Sequence, residues 1–473
     1  MFTASLVGTI GTSLFIQIGY VLPHGGPGSL LIAYLFWSTV MLAVNNCLAE
    51  PVVTEMVSWI PISSPFICFA DSFVNPALGF CTGINFFFLY LAILIPFEIT
   101  TFELMTHFWT DKIPTAVIIL LHRTLNVFAM RVYDVLAAIG KIFLAFRLFL
   151  FTFVTMIGGN PLHDRLGFRS WDWQGAPFVE YQKTGSTGCF LGFLSCLIQA
   201  SFTICGPEFV SMTAGEAEIP RTMLPQTFKG VYMHLTTFFI LGALSVGILV
   251  PYSDPNLQLA LSDPKPGTSS SPYVIVMQNM NIPVLPHIVN ALIMLSIFSA
   301  GNSYFFCSSR TLYGMALQKR LPSFLTKCTR NDVLIYCIGV TMLVSLLAFL
   351  QVSNGTAKVI NYAFITFTYL RFYYALKAQG IPRSSLPFRG PLQPFCAYYA
   401  FSFTLIMLFV LGYSVFMPDN WDAATFFFLT PSLLLRPTEV TFFEEERRKI
   451  NDYEASMVSS TNKMDRLKEW VIG

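Results

Sequence analysis

The chain has 473 residues, of which 54% are hydrophobic and only 11% charged, against about 25% charged in soluble domains. That excludes a soluble fold, which needs a charged exterior, and a disordered or collagen-like chain, which lacks such apolar content. A net charge of +2 with no basic stripe excludes nucleic acid as a partner. What remains is an all-α polytopic membrane protein with the lipid bilayer around it.

A helix needs about 20 apolar residues to cross ~30 Å of hydrocarbon. In chain order such runs cover 2–22, 29–49, 79–105, 134–157, 190–213, 230–251, 284–308, 333–351 and 395–417. Three weaker runs complete the series. Residues 114–130 are interrupted by His122 and Arg123, 359–370 stop at Arg371, and 423–435 are broken by Pro431. The reading is about twelve spans, with the tenth and twelfth short. A helix of a dozen residues rises only ~18 Å.

With both termini cytoplasmic, most basic residues fall in cytoplasmic segments, among them Arg310, Lys319, Arg320, Lys327, Arg371, Lys377, Arg447 and Lys449. Few fall outside (Lys112, Arg165, Arg169, Lys183, Lys265, Lys358), as the positive-inside rule requires. The division expected is a transmembrane unit over 1–435 and a cytoplasmic tail over 436–473. No signal peptide and no N-terminal tail are expected. Asn354-Gly355-Thr356 would be an external glycosylation triplet. The ten cysteines are scattered through apolar runs and read as small hydrophobes. The six histidines show no metal-ligand spacing. No cofactor is expected and no soluble catalytic domain fits, so the chain does not read as an enzyme.

A broken helix inside a membrane needs a cavity or ligand to satisfy its backbone. Two spans carry dense breakers. The first holds Gly8-Thr9-Ile10-Gly11-Thr12-Ser13, and the sixth holds Phe202-Thr203-Ile204-Cys205-Gly206-Pro207-Glu208. Two breaks five spans apart fit a five-plus-five inverted-repeat transporter fold with discontinuous first and sixth helices. The rival for the first stretch is a small-residue packing face. Freed N–H groups near Thr9 to Thr12 suit a carboxylate. Freed carbonyls near Thr203 to Gly206 suit an ammonium. A site with both poles fits an α-amino acid.

At these residues the chain resembles the fungal amino acid permeases, the yeast amino acid transporter family of the amino acid–polyamine–organocation superfamily. The resemblance runs through G-T-I-G-T-S-L-F (8–15), F-T-I-C-G-P-E-F-V-S-M-T-A-G-E-A-E-I-P-R (202–221), S-A-G-N-S (299–303) and S-S-R-T-L-Y-G-M-A (308–316). It covers nearly the whole chain. It implies proton symport of L-amino acids by alternating access across the plasma membrane. It implies a substrate carboxylate at Thr9, Gly11, Thr12 and Ser13. The amine would lie at carbonyls of Phe202, Thr203 and Cys205, beside Gly206. Phe202 would be an aromatic gate, with a core-facing Phe as the alternative.

Ionisable residues in mid-span are costly and mark function. Glu98 would touch substrate, carry a proton or brace packing. Glu208 would cap freed amides or relay protons. Lys141 resembles the lysine that replaces a sodium ion in proton-coupled relatives; its alternative is snorkelling to an interface. Asn302 and Ser303 would hydrogen-bond Lys141 or the first span.

The sequence departs from the family at Ser13, where a third small residue is usual, and at Pro207, often Thr. The short tenth and twelfth spans raise alternatives to an active symporter: a non-transporting amino acid sensor, an inactive remnant, or a wrongly assembled gene sequence. The residues single out neither the amino acid carried nor an oligomeric state.

Overall fold

The computed structural model describes residues 11–48, 64–87, 92–110, 133–172, 177–204, 206–212, 220–262, 271–328, 334–346, 355–379 and 392–411, together with 112, 113 and 117. Among them every regular element is helical. Thr9, Cys205, the weak spans 114–130 and 423–435, the loop 213–219, Asn354 and the tail 436–473 lie outside the described residues.

The first described element is a short helix α1 (Thr12–Phe15), continued by a 3₁₀ turn over Gln17–Val21. Helix α2 (Leu22–Leu48) follows without a gap but contains Gly26 at φ 76°. That positive-φ conformation costs glycine little, and it breaks the regular helix at this point. A Cβ at Gly26 would also lie 2.7 Å from the Pro177 carbonyl oxygen. From Pro27 to Leu48 the helix rises ~33 Å, enough to cross.

Helices α3 (Pro65–Phe73) and α4 (Pro76–Ile84) both start on proline, where the missing N–H costs nothing. The Asn75 side chain caps α4 by accepting from the Leu78 N–H at 2.7 Å. Next come α5 (Ala92–Thr106) and α6 (Tyr133–Met156). Helix α6 shows its facing plainly. Phe143, Phe146, Leu150 and Phe153 form an exposed stripe, while Lys141, Leu144, Ala145, Leu148, Thr152 and Thr155 are buried. The spacing is that of two opposite helix faces. The exposed face is largely apolar but also carries Arg147.

The span expected over 190–213 is divided into α7 (Gly185–Thr203) and α8 (Pro207–Met212). Then come α9 (Pro220–Leu249), two short helices α10 (Pro255–Ser262) and α11 (Pro272–Asn279), and α12 (Leu285–Leu317). Helices α13 (Ile335–Leu346), α14 (Gly355–Ala378) and α15 (Phe395–Leu411) complete the described chain. Four described helical segments are long and apolar enough to cross a membrane: Gln17–Cys47, Gly185–Met212, Gln226–Leu249 and Leu285–Leu317.

The tenth span corrects the sequence reading. Helix α14 has 24 residues, a rise of ~36 Å, so it is not short. Hydropathy undercounts it because its polar side chains are inside the protein: Asn361, Thr366 and Thr368 are buried. The Thr366 hydroxyl donates to the Tyr362 carbonyl at 2.8 Å, which hides its polarity within its own helix.

Helix α2 is the hub, packed against α7, α9 and α15, while α12 packs against α5 and α6. One apolar core runs through these helices, including Trp37, Tyr34, Phe73, Phe228 and Tyr369.

Candidate functional site

A ladder of contacts ties the first described segment to α7. Gly192 and Gly25 approach so closely that a Cβ on Gly25 would lie 2.7 Å from the Gly192 carbonyl oxygen. Further along, the Cys196 thiol points at the Val21 carbonyl at 3.6 Å, and the Gln199 amide donates to the Gln17 carbonyl at 3.1 Å. The pairs step down α7 as they step back along the first segment. Residues rise on the two elements in opposite directions, so the Gln17–Val21 turn and residues 196–199 of α7 run antiparallel.

At the first break, Gly11 is extended and the helix begins at Thr12. The first N–H groups of a helix have no partner within it and carry its partial positive charge. Thr12 is buried, but Ser13 is half-buried between buried neighbours. The Thr12 hydroxyl donates to the Glu98 carboxylate of α5, and Glu98 is itself buried. Gly11 faces α12: a Cβ there would lie 2.9 Å from the Ala300 Cβ. Helix packing therefore accounts for the glycine at this position. Ser271, which opens α11, donates its hydroxyl to the Phe15 carbonyl at 2.8 Å.

At the second break, α7 ends at Thr203 and Ile204 is extended. The hydroxyls of Thr203 and Tyr34 lie 2.9 Å apart, and Thr203 also back-bonds to the Gln199 carbonyl at 2.9 Å. The Thr203 side chain thus ties the break to α2 and leaves its backbone as the group able to meet a ligand. Helix α8 is pinned by its acid. The Gly206 N–H donates to Glu208 Oε2 at 3.2 Å, and the Tyr362 hydroxyl on α14 donates to Glu208 Oε1 at 2.9 Å. Glu208 and Tyr362 are completely buried. Of the two roles read from sequence, the cap is the one this geometry displays.

Phe202 is half-buried, and its ring meets that of Phe97 edge-on with centroids 6.1 Å apart. Phe97 lies on α5, the helix that also carries Glu98. Lys141 is 3% exposed on the inward face of α6, about 12 Å from the start of that helix. It does not snorkel. Asn302 is buried on α12, and the Ser303 hydroxyl donates to the Ser299 carbonyl of its own helix at 3.2 Å. Ser308 and Ser309 likewise bond Tyr304 and Phe306 carbonyls. The Ser303, Ser308 and Ser309 hydroxyls thus all bond carbonyls of α12 itself. The reason is local: a serine in a helix has a carbonyl three or four residues back within reach.

Tyr34, Gln199, Ser271 and Tyr362 all brace the breaks and were not singled out in the sequence. Their signal was weak: lone polar tips inside apolar runs. Among the described residues no cluster of His, Cys, Asp or Glu could hold a metal ion.

The comparisons with known proteins agree with this architecture. The amino acid permease family profile matches residues 1–436. A general amino acid permease of Saccharomyces cerevisiae is 40% identical over 449 residues, 90% of this chain and 74% of the relative. A proline-specific permease of Emericella nidulans is 35% identical over 450 residues, 89% of this chain and 79% of the relative. A basic amino-acid permease of Saccharomyces cerevisiae is 36% identical over 438 residues, 88% of this chain and 74% of the relative. These relatives are transporters and not enzymes. With its bundle of apolar helices and this match along the chain, the protein belongs to the amino acid permease family, multi-pass membrane proteins that carry amino acids across the membrane.

Proposed function

We propose that this chain is a proton symporter of L-amino acids, working by alternating access in the plasma membrane with both termini cytoplasmic. The observation that carries the reading is the helix start at Gly11–Thr12, bonded to the buried Glu98, on a segment tied by Gln17 to α7, which itself ends at Thr203. The start of α1 offers N–H groups at its positive end to the substrate carboxylate. The end of α7 offers carbonyls at its negative end to the ammonium. Thr9 and Cys205 belong to the same two stretches by sequence. The five-plus-five inverted repeat supplies the two halves that rock against each other.

Phe202 closes the substrate from one side, edge-on to Phe97. Glu98, tied to Thr12, senses whether the first break is occupied. Lys141 supplies a fixed buried cation on α6, and α12, which carries Asn302 and Ser303, packs on the same helix. Buried charges of this kind are expensive in a membrane and are kept for ion or proton pathways. Glu208 holds the second break in shape. A transporting protein is favoured over a sensor or remnant by the full-length α14, which removes one reason for thinking the bundle incomplete.

The test is uptake of radiolabelled amino acids in permease-deficient yeast expressing the chain. Uptake should saturate and should prefer L over D enantiomers. Phe202→Ala should raise KM by roughly 10-fold or more while surface expression is unchanged. Uptake indistinguishable from vector alone, with the protein present at the surface, would refute transport.

A further inference from the structure

Helix α6 carries a second cation besides Lys141, and it faces the other way. Arg147 is exposed on the face formed by Phe143, Phe146, Leu150, Phe153 and Ile157, which are 56–63% exposed. It stands fourteen residues from the start of α6 and nine from its end, ~21 and ~14 Å along the axis. A cation on an apolar face inside a membrane is costly and is kept where it finds a partner. The surrounding elements supply no carboxylate. Helices α9 and α12, which pack against α6, contain no Asp or Glu. Neither do residues 114–132, which lead into α6. Asp134, on α6 itself, is thirteen residues away, ~20 Å. A second copy docked face to face on α6 would bring the same acid-free helices and another Arg147. The countercharge therefore belongs to a different molecule.

A further cation stands where this face ends. After α6 the chain folds back on itself, and the Gly167 N–H donates to the Met156 carbonyl at 3.2 Å. The return lays Arg165 over Gly158, where a Cβ would lie 2.9 Å from Arg165 Cγ. Arg165 is exposed and, like Arg147, has no hydrogen-bond or ion-pair partner among the described residues. The acid next to it, Asp164, is paired with Arg169 at 2.9 Å. Two guanidinium groups without a countercharge thus bracket an apolar strip that includes Leu150, Phe153 and Ile157.

We propose that this strip binds an anionic glycerophospholipid, with its phosphate at Arg165, its ester carbonyls at Arg147 and an acyl chain along Phe143 and Phe146. The two long side chains can lean toward each other along the helix. The seam between α6 and α9 walls the acyl chain, since the Phe146 and Phe238 rings meet edge-on with centroids 5.7 Å apart. The chemistry selects this ligand. A glycerophospholipid joins a phosphate, then neutral carbonyl acceptors, then an apolar tail, in the order in which α6 presents their partners. Two uncompensated cations favour a headgroup of net negative charge over zwitterionic choline.

The experiment titrates the purified full chain with phosphatidylglycerol or phosphatidylcholine, read by native mass spectrometry. A photoactivatable phosphatidylglycerol then locates the site by peptide mapping. The expected result is one saturable phosphatidylglycerol, held roughly 10-fold or more tightly than phosphatidylcholine, with label on residues 143–165. Arg147→Leu and Arg165→Gln should each weaken that binding by roughly 10-fold, the worth of a hydrogen bond to a charged group. Lys327→Gln, which removes an exposed cation from the segment after α12, should leave it unchanged. A monodisperse elution profile and retained amino acid uptake in each variant keep folding separate from binding. Equal affinity for the two lipids, an equal loss in Lys327→Gln, label elsewhere, or wild-type binding by both arginine variants would overturn the proposal. So would a photo-crosslinker at Leu150 that captures a stoichiometric protein in intact membranes, which would assign Arg147 to a partner helix.

Discussion

Replacing Thr12 by Val removes one hydroxyl and keeps the shape of the side chain. In this protein that hydroxyl donates to Glu98, and both residues are buried. A hydrogen bond to a charged group is worth about 1.5–3 kcal/mol, because the carboxylate left behind has lost a donor it cannot replace with water. Thr12→Val should therefore cost roughly that much, read as a fall in the thermal midpoint and in the uptake rate. Glu98→Met removes the carboxylate and should cost a similar amount through loss of the same bond. The double variant should be little worse than either single one, giving a coupling energy of about 1.5–3 kcal/mol in a double-mutant cycle. The assay is initial-rate uptake in permease-deficient yeast, normalised to surface protein, beside thermal unfolding of the purified chain. Additive effects, within ~0.5 kcal/mol, would show that the two residues act separately and that α5 does not sense the first break through Thr12.

Two further outcomes follow from the bracing of the breaks. Tyr362→Phe deletes the donor to Glu208 and should lower stability by about 1.5–3 kcal/mol, measured as a thermal midpoint in detergent; an unchanged midpoint would show that α14 does not hold α8. Gly11→Ala places a methyl 2.9 Å from the Ala300 Cβ and should cost about 1–3 kcal/mol by overpacking. Adding Ala300→Gly should restore most of the lost uptake, and no rescue would locate the strain elsewhere.

Much of the helical layout was legible because lipid-facing helices must be apolar. The run read as 134–157 is α6 at Tyr133–Met156, and the breaker cluster at 202–208 is the gap between α7 and α8. Hydropathy failed at α14 for the opposite reason. Its polar residues face protein, and Thr366 satisfies itself within the helix, so polarity there does not mark a helix end. The facing of Lys141 required the whole α6 pattern, with Phe143 and Phe146 on the exposed side. Tyr34 and Tyr362 were invisible as partners of Thr203 and Glu208 because 169 and 154 residues separate the pairs. No local spacing records such contacts. At Gly11 the structure shows a packing cause for the glycine: a Cβ there would meet Ala300 on α12.

The central claim is that an amino acid and a proton move together through the site proposed at the two breaks. It is tested most directly by purified protein in vesicles holding a pH-sensitive dye, with radiolabelled amino acid added outside. Substrate-dependent acidification of the lumen should accompany uptake, uptake should rise with an inward proton gradient, and Lys141→Ala should weaken that dependence. Concentrative or saturable uptake with no proton movement, and with no response to the gradient, would contradict the account.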